Sequence, residues 1–221
     1  MQYHPVHLDL RGRPCVVVGG GEAALRKVES LLEAGARVTV VSPSLVQPLA
    51  ALAETHEVVH HPRPYRQGDL AGAALAYAAV DDPALQTALA ADATAAGVFL
   101  NVVDVPQLCT FIAPAVVRRG PVLVAISTGG ASPALARRLR EEIEGHVGAE
   151  YGLAATILAK VRPLVRAAQP DAASRSRTYA GLVDGSLLAA LRARDAASVD
   201  AILRAAVGEG TSLASLGVAL S

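Results

Sequence analysis

Short apolar runs alternate along the chain with segments whose apolar residues recur every three or four positions. Arg13 to Val18 is a compact apolar run that ends in Gly19-Gly20-Gly21. From Glu22 to Glu33, residues Leu25, Val28, Leu31 and Leu32 fall on one helical face, and Gly35 follows as a stop. Arg37 to Val41 is β-branched and extended, ending at Ser42-Pro43. Glu57 to His61 is a weaker strand before Pro62 and Pro64, and Leu75 to Val80 is a further one. Asp82-Pro83 has the form of an N-cap and a first-turn proline, predicting a helix to about Ala96 that Gly97 ends. Val98 to Val102 is a fifth strand. Such alternation predicts a Rossmann-type, doubly wound α/β domain with a parallel sheet, assigned to residues 1–110.

The pattern changes after Cys109. Phe111 to Val117 and Val122 to Ser127 read as strands joined by Arg118-Arg119-Gly120-Pro121 into a β-hairpin, and Ser132-Pro133 opens a helix to about Gly145. A lone hairpin and helix bury little, so this section, residues 111–148, must pack on the first domain or on a second subunit. Residues 149–221 read as an α-helical C-terminal domain, with helices at about Tyr151 to Ala168, Tyr179 to Arg194 and Ala196 to Val207. Asp195 caps the last, and the polar stretch Gln169 to Arg177, which carries Pro170, is predicted to be a mobile loop. The tail from Gly208 receives no assignment.

Composition narrows the function. With 221 residues, 52% hydrophobic and 18% charged, the chain has ample material for a core and is not disordered. Twenty basic side chains balance 20 acidic ones, which argues against bulk attraction to nucleic acid or anionic lipid. No apolar stretch reaches the ~18–20 residues that span a bilayer. The start, Met1-Gln2-Tyr3-His4-Pro5, lacks the form of a signal peptide, so a cytoplasmic setting is expected. Cys15 and Cys109 are the two cysteines, too few for a disulfide framework or a multi-cysteine metal centre, and they read as inert small hydrophobes. His60 and His61 point to opposite faces of a strand, so no metal site is expected.

Gly19-Gly20-Gly21-Glu22-Ala23-Ala24 matches G-x-G-x-x-A between a strand and a helix. The first glycine permits a tight turn, the second lets the backbone approach a pyrophosphate, and the small Ala24 allows close packing of helix on strand. The pyrophosphate would sit over the amides and positive dipole end of the helix that starts at Glu22. The alternative is a merely structural glycine turn. The acid that usually grips the ribose at the end of the second strand is missing, and Ser42-Pro43-Ser44 stands there. Ser42 is the candidate ribose partner, and with no arginine in that turn NAD is favoured over NADP.

Two further features carry candidate chemistry. Asp104 follows Asn101-Val102-Val103 just beyond the fifth strand, at the edge that faces the cofactor crevice in open α/β sheets. It is either a proton acceptor paired with hydride transfer or an aspartate that caps a turn. Ser127-Thr128-Gly129-Gly130 leads into a helix start, and its amides can form a second anion-binding concavity. Arg118, Arg119, Arg137, Arg138 and Arg140 lie close by in sequence. They form either a cationic wall for a polycarboxylate or surface ion pairs with Glu141, Glu142 and Glu144.

Taken together, Gly19 to Lys27, Asn101-Val102-Val103-Asp104, Cys109-Thr110-Phe111-Ile112-Ala113-Pro114-Ala115 and Ser127 to Pro133 occur in one order and spacing. In these motifs the chain resembles the precorrin-2 dehydrogenase and sirohydrochlorin ferrochelatase family, the N-terminal module of sirohaem synthase. The resemblance covers about residues 4–145, with the helical remainder similar in length and type only. It implies NAD-dependent oxidation of precorrin-2 to sirohydrochlorin and, in bifunctional members, insertion of ferrous iron. It also implies a homodimer in which the Phe111–Gly145 section interleaves between subunits. Asp104 takes the place of the family's general base, and Thr128 stands where members commonly carry serine, in a turn thought to contact the tetrapyrrole. No methyltransferase module is expected after Ser221. A competing expectation is a non-catalytic, NAD-binding dimer that senses redox state or tetrapyrrole.

Overall fold

The computed structural model describes residues 3–220, and the chain divides into two compact units between Ala113 and Pro114. In the first unit, β1 (Pro14–Val18), β2 (Arg37–Val41), β3 (Val58–His61), β4 (Leu75–Ala78) and β5 (Phe99–Val102) form one parallel sheet in the order β3-β2-β1-β4-β5. The chain runs outward from β1 to β3, then returns to place β4 on the other side of β1. The end of β1 is therefore the point where strand order reverses, which is where open α/β sheets bind ligands.

Both faces of the sheet are covered, so its strands read as continuous apolar runs. On one face α1 (Glu22–Glu33) buries Ala24, Leu25, Val28 and Leu31 against Cys15, Val17, Val38 and Val40. On the other, α3 (Pro83–Ala96) lays Leu89 and Ala93 on Val16, Val18, Ala76 and Leu100. Asp82 caps α3 by accepting from Ala84 N–H at 2.9 Å, as its sequence predicts. A short helix with no sequence expectation, α2 (Gln47–Glu54), follows β2 and buries little beyond Leu49.

The second unit begins with the hairpin β6 (Ala115–Arg119) and β7 (Val122–Ile126), which pair antiparallel across a two-residue turn at Gly120-Pro121. The expected strand start at Phe111 is corrected to Ala115. Pro114 lacks an amide for pairing, and Thr110 is instead drawn back onto β5, where its amide donates to Leu100 O at 2.8 Å. Helix α4 (Pro133–His146), capped by Ser132, packs on the hairpin. Helix α5 (Ala149–Ala168) approaches so closely that a Cβ on Gly152 would lie 2.6 Å from the Arg119 carbonyl oxygen.

Two C-terminal expectations change. The stretch expected to be a loop folds mostly as α6 (Ala172–Val183), because the Asp171 carboxylate accepts from Ser174 N–H at 2.7 Å and starts a helix after Pro170. The single helix expected over 179–194 breaks at Asp184-Gly185, where Gly185 takes φ +117°, before α7 (Ser186–Arg192). Helix α8 (Ala196–Val207) follows its predicted cap, Asp195. Ile157, Val161, Leu182, Leu187, Leu203 and the tail residues Leu213 and Leu216 make one core.

Glu150, at the start of α5, is buried and accepts from Arg192 Nη2 at 2.7 Å and Nε at 3.1 Å. Those hydrogen bonds hold its carboxyl below the usual glutamate range. Stability from the pair is therefore complete at neutral pH and is lost as pH falls through that lowered value. We expect Arg192→Ala to lower the urea midpoint at pH 7, with the gap to wild type closing as the buffer is taken to about pH 3. Ile157→Ala, at a fully buried site, should cost about 2–5 kcal/mol with no such pH dependence.

Candidate active site

The glycine turn at the end of β1 is held by backbone on two sides. Gly19 N–H donates to Val41 O at 3.0 Å, and a Cβ added at Gly19, which has φ +121°, would lie 2.2 Å from Ala79 O. A Cβ at Gly20 would lie 1.8 Å from Ser44 O, and Val46 N–H donates to Gly20 O at 2.8 Å. At Gly21 the situation reverses, since a Cβ there would meet open space. Gly21 is also the N-cap of α1 and supplies no side-chain cap, so the amides of Glu22, Ala23 and Ala24 begin a helix that lacks an internal acceptor. Clear space over Gly21, free amide donors and the positive end of a helix fit a dinucleotide pyrophosphate.

Ser42 plays a different part from the one expected. It is buried, and its hydroxyl donates to Ser44 O at 2.7 Å, while His60 Nε2 donates to the Ser42 carbonyl at 2.9 Å. Ser42 thus shapes the turn that packs on Gly20, and Pro43 and Ser44 present its exposed surface.

On the other side of β1, Asp104 lies in the turn after β5 with φ +61° and an exposed side chain. Its carboxylate caps no amide among the described residues, so the reading of a turn-capping aspartate is not what the geometry shows. The loop that carries it is braced from below. Cys109 Sγ accepts from Val102 N–H at 3.2 Å, and its thiol lies 3.3 Å from Val102 O and 3.4 Å from Val105 O. Asn101 Nδ2 donates to Phe111 O at 3.1 Å, and Thr110 Oγ1 accepts from Leu100 N–H at 2.8 Å. Cys109 is therefore a hydrogen-bonding brace as well as a small hydrophobe, and burial pushes its thiol pKa up.

Sequence reasoning missed a cluster on the β4 side of the glycine turn. Tyr77 of β4 packs edge-on against Phe111, with ring centroids 5.5 Å apart, and burial pushes its hydroxyl pKa up to about 12. The Lys27 ammonium lies 5.2 Å from the Tyr77 ring centroid. No periodicity marks Lys27 as special. Its helical position, on the edge of the buried face, is the available signal.

In the second unit, the Ser127 turn is braced internally. Ser127 Oγ accepts from Gly129 N–H at 3.0 Å, and Thr128 Oγ1 accepts from Ser132 N–H and donates to Ser132 O, each at 3.1 Å. Gly129 and Gly130 have open space where a Cβ would stand. The five arginines part company. Arg119 is a clamp, donating to Val147 O at 3.0 Å and to Glu144 O and Oε1 at 3.3 Å, the ion pairing with an α4 glutamate that was the alternative to a cationic wall. Arg138 pairs with Glu142 at 2.9 Å and Arg140 with Glu144 at 2.7 Å along α4, the surface pairing that the spacing allows. Arg118 and Arg137 are exposed.

Three family models match the chain in succession: a putative NAD(P)-binding domain over residues 6–115, a sirohaem biosynthesis protein central domain over 119–146, and a sirohaem synthase dimerisation region over 150–207. The chain belongs to the sirohaem synthase family. Among its relatives, the protein named siroheme synthase from Chromobacterium violaceum is 40% identical over 210 residues, covering 95% of this chain and 45% of the relative. That from Thioalkalivibrio sulfidiphilus is 44% identical over 185 residues, covering 84% and 38%. The chain thus spans less than half the length of these relatives. A solved structure named SirC, precorrin-2 dehydrogenase, shares the fold at a TM-score of 0.74 and 22% identity, covering 92% of this chain and 98% of that one. The family match includes the glycine turn and Asp104 in its NAD(P)-binding part and the Ser127 turn in its central part. The region named for dimerisation falls C-terminal to the hairpin section for which interleaving is expected.

The two inner glycines of the turn separate by experiment. Gly20→Ala forces a methyl into Ser44 backbone and should cost about 1–3 kcal/mol in urea unfolding. Gly21→Ala should leave stability unchanged, yet weaken NADH binding about tenfold by fluorescence titration, because the methyl occupies the space over the turn.

Proposed function

We propose that this chain carries out the NAD-dependent oxidation of precorrin-2 to sirohydrochlorin on the way to sirohaem or cobalamin. The observation that carries the reading is Asp104: an exposed carboxylate, bound to no amide among the described residues, at the sheet edge that also holds the glycine turn. The oxidation removes a hydride and a proton from the macrocycle. NAD, when bound, supplies the hydride acceptor. The chain's own residues do the rest. The amides at the start of α1 and the open face of Gly21 hold the pyrophosphate, with Pro43 and Ser44 beside the ribose. Lacking an arginine, that turn favours NAD over NADP. Asp104 Oδ accepts the proton, on a loop that Cys109 and Asn101 keep in place. The Ser127–Gly130 turn offers amides and a hydroxyl to an anionic macrocycle, and Arg118 and Arg137 add positive charge near it in sequence.

Insertion of ferrous iron into sirohydrochlorin belongs with the same reading, with the metal as substrate and Asp104 taking the pyrrole protons. A homodimer is proposed with it, supported by the match of residues 150–207 to a dimerisation region and by the exposed Val116 and Leu123 on the outer face of the hairpin.

Anaerobic incubation with precorrin-2 and NAD should yield NADH and sirohydrochlorin in equal amounts, followed by absorbance. Asp104→Ala should lower that rate about a hundredfold or more while NADH binding is retained. Ferrous iron added afterwards tests the chelatase step. An absence of turnover in protein that binds NADH would overturn the dehydrogenase and favour the non-catalytic sensor.

A further inference from the structure

The crevice beside β1 has two unlike sides. On the β2 side, Ser42 and Ser44 close against Gly20. On the β4 side, Lys27 reaches over the Tyr77 ring, and Asp104 attracts its charge through space. Lys27 is the sixth residue of α1, whose first turn lies at the carboxyl edge of the sheet. Helical side chains lean toward the helix N-terminus, so the ammonium is carried back toward that edge and toward Asp104.

This ammonium lacks the partner that its surroundings call for. It is half-buried, and among the described residues it makes no ion pair. Loss of solvent pushes its pKa down, with Arg26 acting in the same direction and Asp104 against both. An aromatic face compensates a desolvated cation only in part. An anion arriving in the crevice would compensate it more fully. On the reading proposed above, that anion is at hand. A ligand rich in carboxylates would be repelled by Asp104 alone, and a cation beside the base offsets the repulsion. The arginine clamp and pairs in the second unit leave Arg119, Arg138 and Arg140 already engaged.

We propose that Lys27 is a substrate-binding residue that holds a carboxylate of the ligand beside Asp104, on the β4 side of the glycine turn. The proposal rests on the tetrapyrrole reading of the site. A pyrophosphate is the other anion within the crevice, but its donors lie at Gly21 to Ala24, at the end of β1, whereas Lys27 stands over β4.

Lys27→Met keeps the stem that covers Tyr77 and removes the charge, and Lys27→Arg keeps the charge. Binding of sirohydrochlorin, followed anaerobically by absorbance without NAD, should weaken about tenfold in Lys27→Met and recover in Lys27→Arg. NADH affinity and the thermal midpoint should stay at wild-type values. Equal sirohydrochlorin affinity in wild type and Lys27→Met, or no binding by either, would overturn the proposal. So would a loss confined to NADH, which would put the lysine on the cofactor phosphates, or a joint loss of affinity and stability, which would make it structural. Precorrin-2 turnover by wild type is measured in parallel. Sirohydrochlorin binding through Lys27 without turnover would sink the dehydrogenase and leave the lysine's role standing.

Discussion

The first unit depends on the close approach of backbone to backbone around Gly19 and Gly20. β1 is flanked by β2 and β4, and the chain leaves it between the Ala79 carbonyl on one side and the Ser44 carbonyl on the other. No side chain fits either position. Because the turn is pinned there, α1 starts at the carboxyl edge with its amides directed outward, and the space above Gly21 is left clear. A site for a phosphate-bearing ligand is thus a consequence of how the sheet packs. It does not rely on any one polar side chain.

The β5 edge next to it is built by a different device. β5 is the outer strand of the sheet, and its free amides would otherwise invite pairing with another chain. The segment from Cys109 to Phe111 folds back, satisfies the amides of Val102 and Leu100 with a thiol and a hydroxyl, and takes the Asn101 side-chain amide on the Phe111 carbonyl. Sealing the edge also fixes the loop between Val102 and Cys109, and so the Asp104 carboxylate that it carries. An aspartate tolerates the left-handed conformation found there better than most residues. Edge protection and placement of the carboxylate are therefore one arrangement.

Charge in this protein is mostly spent on structure. The α4 glutamates take up Arg119, Arg138 and Arg140, and Glu150 holds Arg192 between α5 and α7. Among the side chains of the first unit, Arg63 grips Asp69 and Tyr65 donates to Asp92, fastening the loop before β4. Lys27 stands apart because its neighbour is a ring and its nearest charge attraction is longer in range.

Much of this was legible in the sequence, where local chemistry decides. Apolar periodicity and the stop at Gly35 set α1, caps at Asp82, Ser132 and Asp195 set α3, α4 and α8, and the alternation of strand and helix set the parallel sheet. The glycine turn and Asp104 were readable because their residue types answer to backbone geometry and to the edge of a strand. The tertiary structure alone decided the rest. It turned Ser42 inward, made Arg119 a clamp and Cys109 a brace, and brought Lys27 and Tyr77 together. It also made a helix of 172–183, whose polar face resembles a loop until Leu182 is seen in the core. The physical reason is range. Caps and periodicity act over a few residues and leave a mark in the sequence. Which donor meets which acceptor across strands and helices depends on packing, and one chain read in order carries no record of that.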